Sequence, residues 1–207
     1  MARLAPEYKI KDIEDNMMDL DLFPNNPFIN KTWKAHILPD SFITTEQLHC
    51  IVGADDKTVR SKKIILIATG DYEDKISRVN EIPIVQINNN AEYCKISKII
   101  TDNDVESIDN YYNNSDFSFT FSAYIFPETK KWGIVTHLPS EVAIIGGEQD
   151  FIEAFEESMG GRDLLINDIF EIYNNMRPLP HDYFYTLIKG IYGDDIEIEK
   201  DDYNKPK

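Results

Sequence analysis

Apolar and polar residues alternate most regularly in DFSFTFSAYIF (116–126). Phe117, Phe119, Phe121, Ala123 and Ile125 interleave with Ser118, Thr120, Ser122 and Tyr124. Period two predicts a half-buried strand with one set on each side. PETKK then turns the chain, WGIVTHL returns it, PS turns it again and EVAIIGG supplies a third strand. Connections this short make consecutive strands antiparallel neighbours, so a β-meander is expected over 117–146.

The rest of the chain reads more coarsely. Ile10, Ile13, Met17 and Leu20 stand at helical spacing, and FPNNPF (23–28) breaks the element that carries them. LPDSFITTEQLHCIVG predicts a helix capped by Ser41 or Thr44, with Phe42, Leu48 and Ile51 inward and Gly53 as its end. KKIILIATG (62–70) reads as a buried strand by its β-branched density. EIPIVQINN (81–89) reads as a second, with Pro83 marking its start or an edge. DNDVESIDNYYNN (102–114) has a helical character.

Three helices are expected after the meander. The first carries Phe151, Ile152 and Phe155, and the second Leu164, Leu165, Ile169, Ile172 and Tyr173. The third carries Tyr183, Phe184, Leu187, Ile188 and Ile191. Gly160-Gly161, and then Pro178 and Pro180, separate them. The expected fold class is α+β, a mainly antiparallel sheet with a C-terminal β-meander followed by helices. One domain is expected over 1–193, with an acidic mobile tail over 194–207.

Composition changes this picture in one respect. Hydrophobic residues (42%) and aromatics (12%) suffice for a core, which excludes a disordered chain. The charge, by contrast, is lopsided: 37 acids against 21 bases give −16. A field of that sign disfavours nucleic acid and anionic membrane and favours basic partners. Cys50 and Cys94 form no CxxC pair, which fits a reducing cytoplasm. Glu7, Asp12, Glu14 and Asp15 interrupt the N-terminus, unlike a secretory signal or transit peptide. No apolar run approaches the roughly 18 residues that span a bilayer.

Candidate chemistry is sparse. Gly146-Gly147 stands where a phosphate loop would stand, between an apolar strand and a helix, but Glu148 and Asp150 follow at once and would repel a phosphate. The pair reads as a tight strand-to-helix corner that needs positive φ. Gly160-Gly161 reads as a helix C-cap with Asp163 opening the next helix, in preference to an anion site on Arg162. His137 lies on a strand with no nucleophile motif near it, and His49 and Cys50 are adjacent on a helix, where side chains diverge.

Asp55-Asp56, Asp194-Asp195 and Asp201-Asp202 read as solvated acids of turns and tail. DNDVESID lacks the central Gly and closing Glu of a calcium loop. Asn30-Lys31-Thr32 and Asn113-Asn114-Ser115 match the glycosylation pattern, which is idle without a signal peptide. Tyr111-Tyr112 and Tyr183-Phe184-Tyr185 lack the interleaved bases of a nucleic-acid stacking site. No catalytic, cofactor-binding or metal-ligating residue is assigned.

FPETKKWG followed by VAIIGGEQDFIEAF resembles a pattern found in bacterial immunity proteins of polymorphic and contact-dependent toxin systems. It comprises Trp-Gly, a short strand, an apolar triplet, Gly-Gly and an acidic amphipathic helix. The likeness covers 117–156. It implies a cytoplasmic, non-enzymatic inhibitor that occludes a toxin domain, and it assigns no individual residue a role. Two other functions fit the same composition: a hydrolase using His137 or one of the scattered carboxylates, and a regulatory module that mimics nucleic-acid charge.

Overall fold

Apolar runs separated by tight turns set three strands side by side, and the remaining strands add to both flanks. The computed structural model describes residues 3–4, 10–38, 43–69, 78–83, 116–117, 122–137, 142–176, 180–193 and 196. In chain order its strands are β1 (Arg3–Leu4), β2 (Lys34–Leu38), β3 (Ile43–Thr44), β4 (Lys63–Thr69), β5 (Arg78–Pro83), β6 (Asp116–Phe117), β7 (Ser122–Pro127), β8 (Trp132–His137) and β9 (Val142–Gly147). The helices are α1 (Ile10–Asn16), α2 (Thr45–Thr58), α3 (Gln149–Ser158), α4 (Arg162–Met176) and α5 (His181–Tyr192), with a 3-10 turn at Leu20–Leu22.

Seven strands form one sheet in the order β1-β5-β4-β7-β8-β9-β2. Every neighbouring pair is antiparallel. The protein is α+β, with the meander β7-β8-β9 followed by three helices. Two details differ from expectation. Phe117 does not belong to the meander: it pairs with Ile43 in a separate two-stranded ribbon, β3-β6. Residues 118–121 lie outside the described residues. The sheet is also not half-buried. Ala123 and Ile125 enter one core, whereas Tyr124 and Phe126 enter a second core on the opposite face. Helices cover both faces, so β9 is buried along its whole length.

The first core lies between the sheet and α2 with α3. Trp132 of β8 stacks on Phe151 of α3 with ring centroids 5.1 Å apart. The second core lies under α1, α4 and α5, where Tyr173 stacks on Phe184 at 3.6 Å. Leu165 belongs to the first core and Ile169 and Tyr173 to the second, so α4 passes the β2 edge and touches both. Leu164, expected inward, is half exposed.

Three other boundaries differ. Gly53 does not end α2, which runs five residues further to Thr58; a helix tolerates an interior glycine at a cost of about 1 kcal/mol. The chain leaves the helix at Arg60, where φ is +59°. Pro83 closes β5 rather than opening it, and 84–89 lie outside the described residues. Ile196, within the expected tail, packs against the second core, and its carbonyl accepts a hydrogen bond from Lys189 Nζ at 3.1 Å. Residues 194–195 and 197–207 lie outside the described residues.

Candidate functional site

The glycine pair is the first candidate the structure resolves. Gly146 and Gly147 are the last residues of β9, and neither has positive φ, contrary to expectation. Their requirement is space. A Cβ on Gly146 would overlap the Phe28 ring. One on Gly147 would sit 2.8 Å from Trp132 Cβ and 2.9 Å from Phe151 Cδ1. Gly133, the cross-strand neighbour of Gly146, is closed over in the same way by Met18, whose Sδ would lie 2.8 Å away. Gly133 and Gly146 form a smooth patch on which the N-terminal segment seats Met18 and Phe28, both buried, whereas Gly147 makes room for Trp132 and Phe151. Glu148 follows as the helix N-cap residue and pairs with Lys131 across the turn.

The second candidate is the outer edge of β2. An edge strand presents unpaired N–H groups. The Tyr192 hydroxyl, at the end of α5, accepts from Ile37 N–H at 3.0 Å. Its own proton is then available to His36 Nδ1, also 3.0 Å away. His36 is fully buried, and burial, reinforced by nearby Arg162, lowers its pKa to about 3. The ring is therefore neutral, and it meets Tyr192 through Nδ1, which leaves Nε2 as its other nitrogen. That atom has no partner among the described residues.

Glu156 Oε1 of α3 lies 3.8 Å from Nδ1. Burial raises the Glu156 pKa against the opposing pull of Arg162 and Lys34. The Arg162 guanidinium sits 5.8 Å from the Tyr192 ring centroid. Tyr192, Glu156 and Arg162 line a cavity of about 480 Å³ whose walls also include Trp33, Lys34 and Glu153, with His36 buried behind Tyr192.

A third constellation is closed to solvent. Asp55, read from the sequence as a solvated acid, is buried near the end of α2. Its Oδ1 accepts from Trp132 Nε1 at 2.7 Å and from Ser61 Oγ at 2.8 Å, and its Oδ2 accepts from Ser61 N at 2.8 Å. Ser61 Oγ in turn accepts from Thr129 Oγ1 at 2.9 Å. The carboxylate ties α2, the start of β4 and β8 together.

The remaining sequence candidates stay apart. His137 stacks on Phe23 at 4.5 Å, at the far end of β8. His49 is exposed on α2, and Cys50 Sγ donates to Ser158 O at 3.6 Å. Gly160 and Gly161 have φ of +95° and +107° and end α3 as expected, with Gly161 N donating to Glu156 O at 2.7 Å. Asn30 Oδ1 accepts from Thr32 N at 3.1 Å within a turn. Phe184 is buried. Cys94, the stretch 102–115 with Tyr111-Tyr112, and the acid pairs of the tail lie outside the described residues. Among the described residues no group of three or more His, Cys, Asp or Glu could hold a metal ion, and no helix is long and apolar enough to cross a membrane.

Sequence reasoning missed His36, Tyr192 and Glu156. Their signal is weak because 156 residues separate the histidine from the tyrosine. Docking of α5 on β2 brings Tyr192 to His36, and the pairing of β2 with β9 brings Glu156 of α3 beside them. Comparisons of the chain with protein families, with curated proteins and with solved structures return no match.

Proposed function

We propose that the protein is a non-enzymatic acidic binding protein, most concretely an immunity protein that blocks a basic toxin domain by occlusion. One observation carries the reading. Asp150, Glu153 and Glu157 of α3, and Asp163, Asp168 and Glu171 of α4, are all exposed. The two helices contain a single base, Arg162. Helical surfaces of one sign, in a chain of net charge −16, steer a cationic partner toward them.

The test is affinity capture from the native host, followed by association kinetics with the recovered partner across a salt series. A basic partner should be recovered. Its on-rate should fall steeply as salt approaches physiological strength, where the Debye length is about 8 Å, while the off-rate changes little. Recovery of an acidic partner, or an on-rate indifferent to salt, counts against the proposal. So does turnover by the purified protein that is lost on substitution of His137 or a single carboxylate.

A further inference from the structure

The cavity at the β2 edge runs against the charge of the whole molecule. Among the described residues its walls carry Lys31, Lys34 and Arg162 against Glu153 and Glu156, three cations to two anions. The chain as a whole is at −16. We infer that this cavity binds a small organic anion that also carries hydroxyl or ammonium groups, the chemistry shared by sugar phosphates and free acidic amino acids.

The argument has three parts. Volume comes first: about 480 Å³ lies within the range of roughly 300–1,000 Å³ typical of small-molecule sites. Rigidity comes second. The Tyr192 hydroxyl is fixed by Ile37 N–H and His36, and Lys31 Nζ by Phe28 O at 3.0 Å. Gly190 brings α5 so close to the loop that a Cβ there would lie 3.1 Å from Asn25 Cα. Walls of this kind hold their shape before a ligand arrives, which lowers the ordering cost of binding.

Complementarity comes third. Lys34 and Arg162 line the cavity beside the Glu156 carboxyl on which both act, and supply its cationic groups for an anion. Glu153 uses Oε1 to accept from Gln149 Nε2 at 2.7 Å, which leaves its second oxygen for a ligand donor. Carboxylates only accept when ionised, so an anion without N–H or O–H groups satisfies only half of the lining. A neutral polyol or a simple cation likewise satisfies only one half.

The probe is calorimetric titration of the intact protein with glucose 6-phosphate, glutamate, inorganic phosphate, glucose and 1,4-diaminobutane. Trp33 fluorescence gives an independent signal, because the other tryptophan, Trp132, is buried away in the first core. Glucose 6-phosphate or glutamate should bind saturably, and which of them binds distinguishes the two sources. Glucose and 1,4-diaminobutane should not bind, and inorganic phosphate should bind at least about tenfold more weakly, a loss of about 1.4 kcal/mol.

Lys34→Gln, at an exposed position, should weaken the organic anion about tenfold without shifting the melting temperature. Glu153→Gln should weaken the organic anion as well. Absence of saturable binding by both organic anions at 10 mM (about the weakest affinity of interest) overturns the inference. Unchanged binding in Lys34→Gln, or phosphate binding as tightly as the organic anions, overturns it as well.

Discussion

Three glycines that look alike in the sequence do different work. Gly146 is held without a Cβ by the Phe28 ring, and Gly133 by Met18. Gly53 has nothing within 4 Å of where its Cβ would be. Gly146→Ala should therefore destabilise by about 1–3 kcal/mol through overpacking. Phe28→Leu in the same chain should recover part of that loss, since the two side chains compete for one volume. Gly53→Ala, inside α2, should stabilise by about 0.5–1 kcal/mol. Chemical denaturation of the three variants measures all of this, and a neutral Gly146→Ala would remove the packing argument.

His36 gives a second prediction at the same scale. Its folded pKa, about 3, lies below the ordinary 6.5 of the unfolded chain. As pH falls from 6.5 toward 3, the unfolded state takes up a proton that the folded state refuses, so stability declines across that window. Glu156, raised by burial, acts in the opposite sense from pH 4.5 upward, because its folded form holds a proton longer. His36→Asn should flatten the decline below pH 6.5. An unchanged stability profile would show that the imidazole is not the group responsible.

At the scale of elements, the meander was legible because alternation in the stretch before β7 and two short turns leave one pairing for β7, β8 and β9. What the pattern could not convey was the second layer. Ser118, Thr120 and Ser122 suggest a wet face, yet Tyr124 and Phe126 further along the same register carry the second core. Nor could α2 be delimited, since nothing local marks Arg60 as the residue that takes positive φ. The β2 edge was illegible for a different reason: it depends on a strand before the meander pairing with the last strand of it, a contact no local pattern encodes.

Asp55 shows what such long-range placement holds together. With three donors aimed at one buried carboxylate, Asp55→Ala leaves Trp132 Nε1 and Ser61 N without their acceptor. A loss of about 2–4 kcal/mol is expected from two stranded donors. Asp55→Asn, which keeps one acceptor oxygen, should lose less. Equal losses from the two substitutions would show that the charge, rather than the hydrogen-bond count, is what matters.

For the whole molecule, the net charge acts on stability and on association with opposite signs, and this separates the two. Carboxylates spread over the exposed faces of α1, α3 and α4 repel one another in the compact state. Raising salt from about 0.01 M to 0.15 M shortens the Debye length from about 30 Å to about 8 Å, which weakens that repulsion. The melting temperature of the isolated protein should therefore rise over this range and flatten beyond it. Neutralising Asp150, Glu157 and Asp168 together (to Asn, Gln and Asn) should raise the melting temperature at low salt and make it less sensitive to salt. If α3 and α4 also steer a basic partner, the same triple variant should associate more slowly at low salt and dissociate at an unchanged rate. A gain in stability with no loss in on-rate would leave the acids as solubilising charge and place the partner surface elsewhere. A loss in on-rate together with a faster off-rate would mean that these side chains touch the partner directly instead of guiding it from a distance.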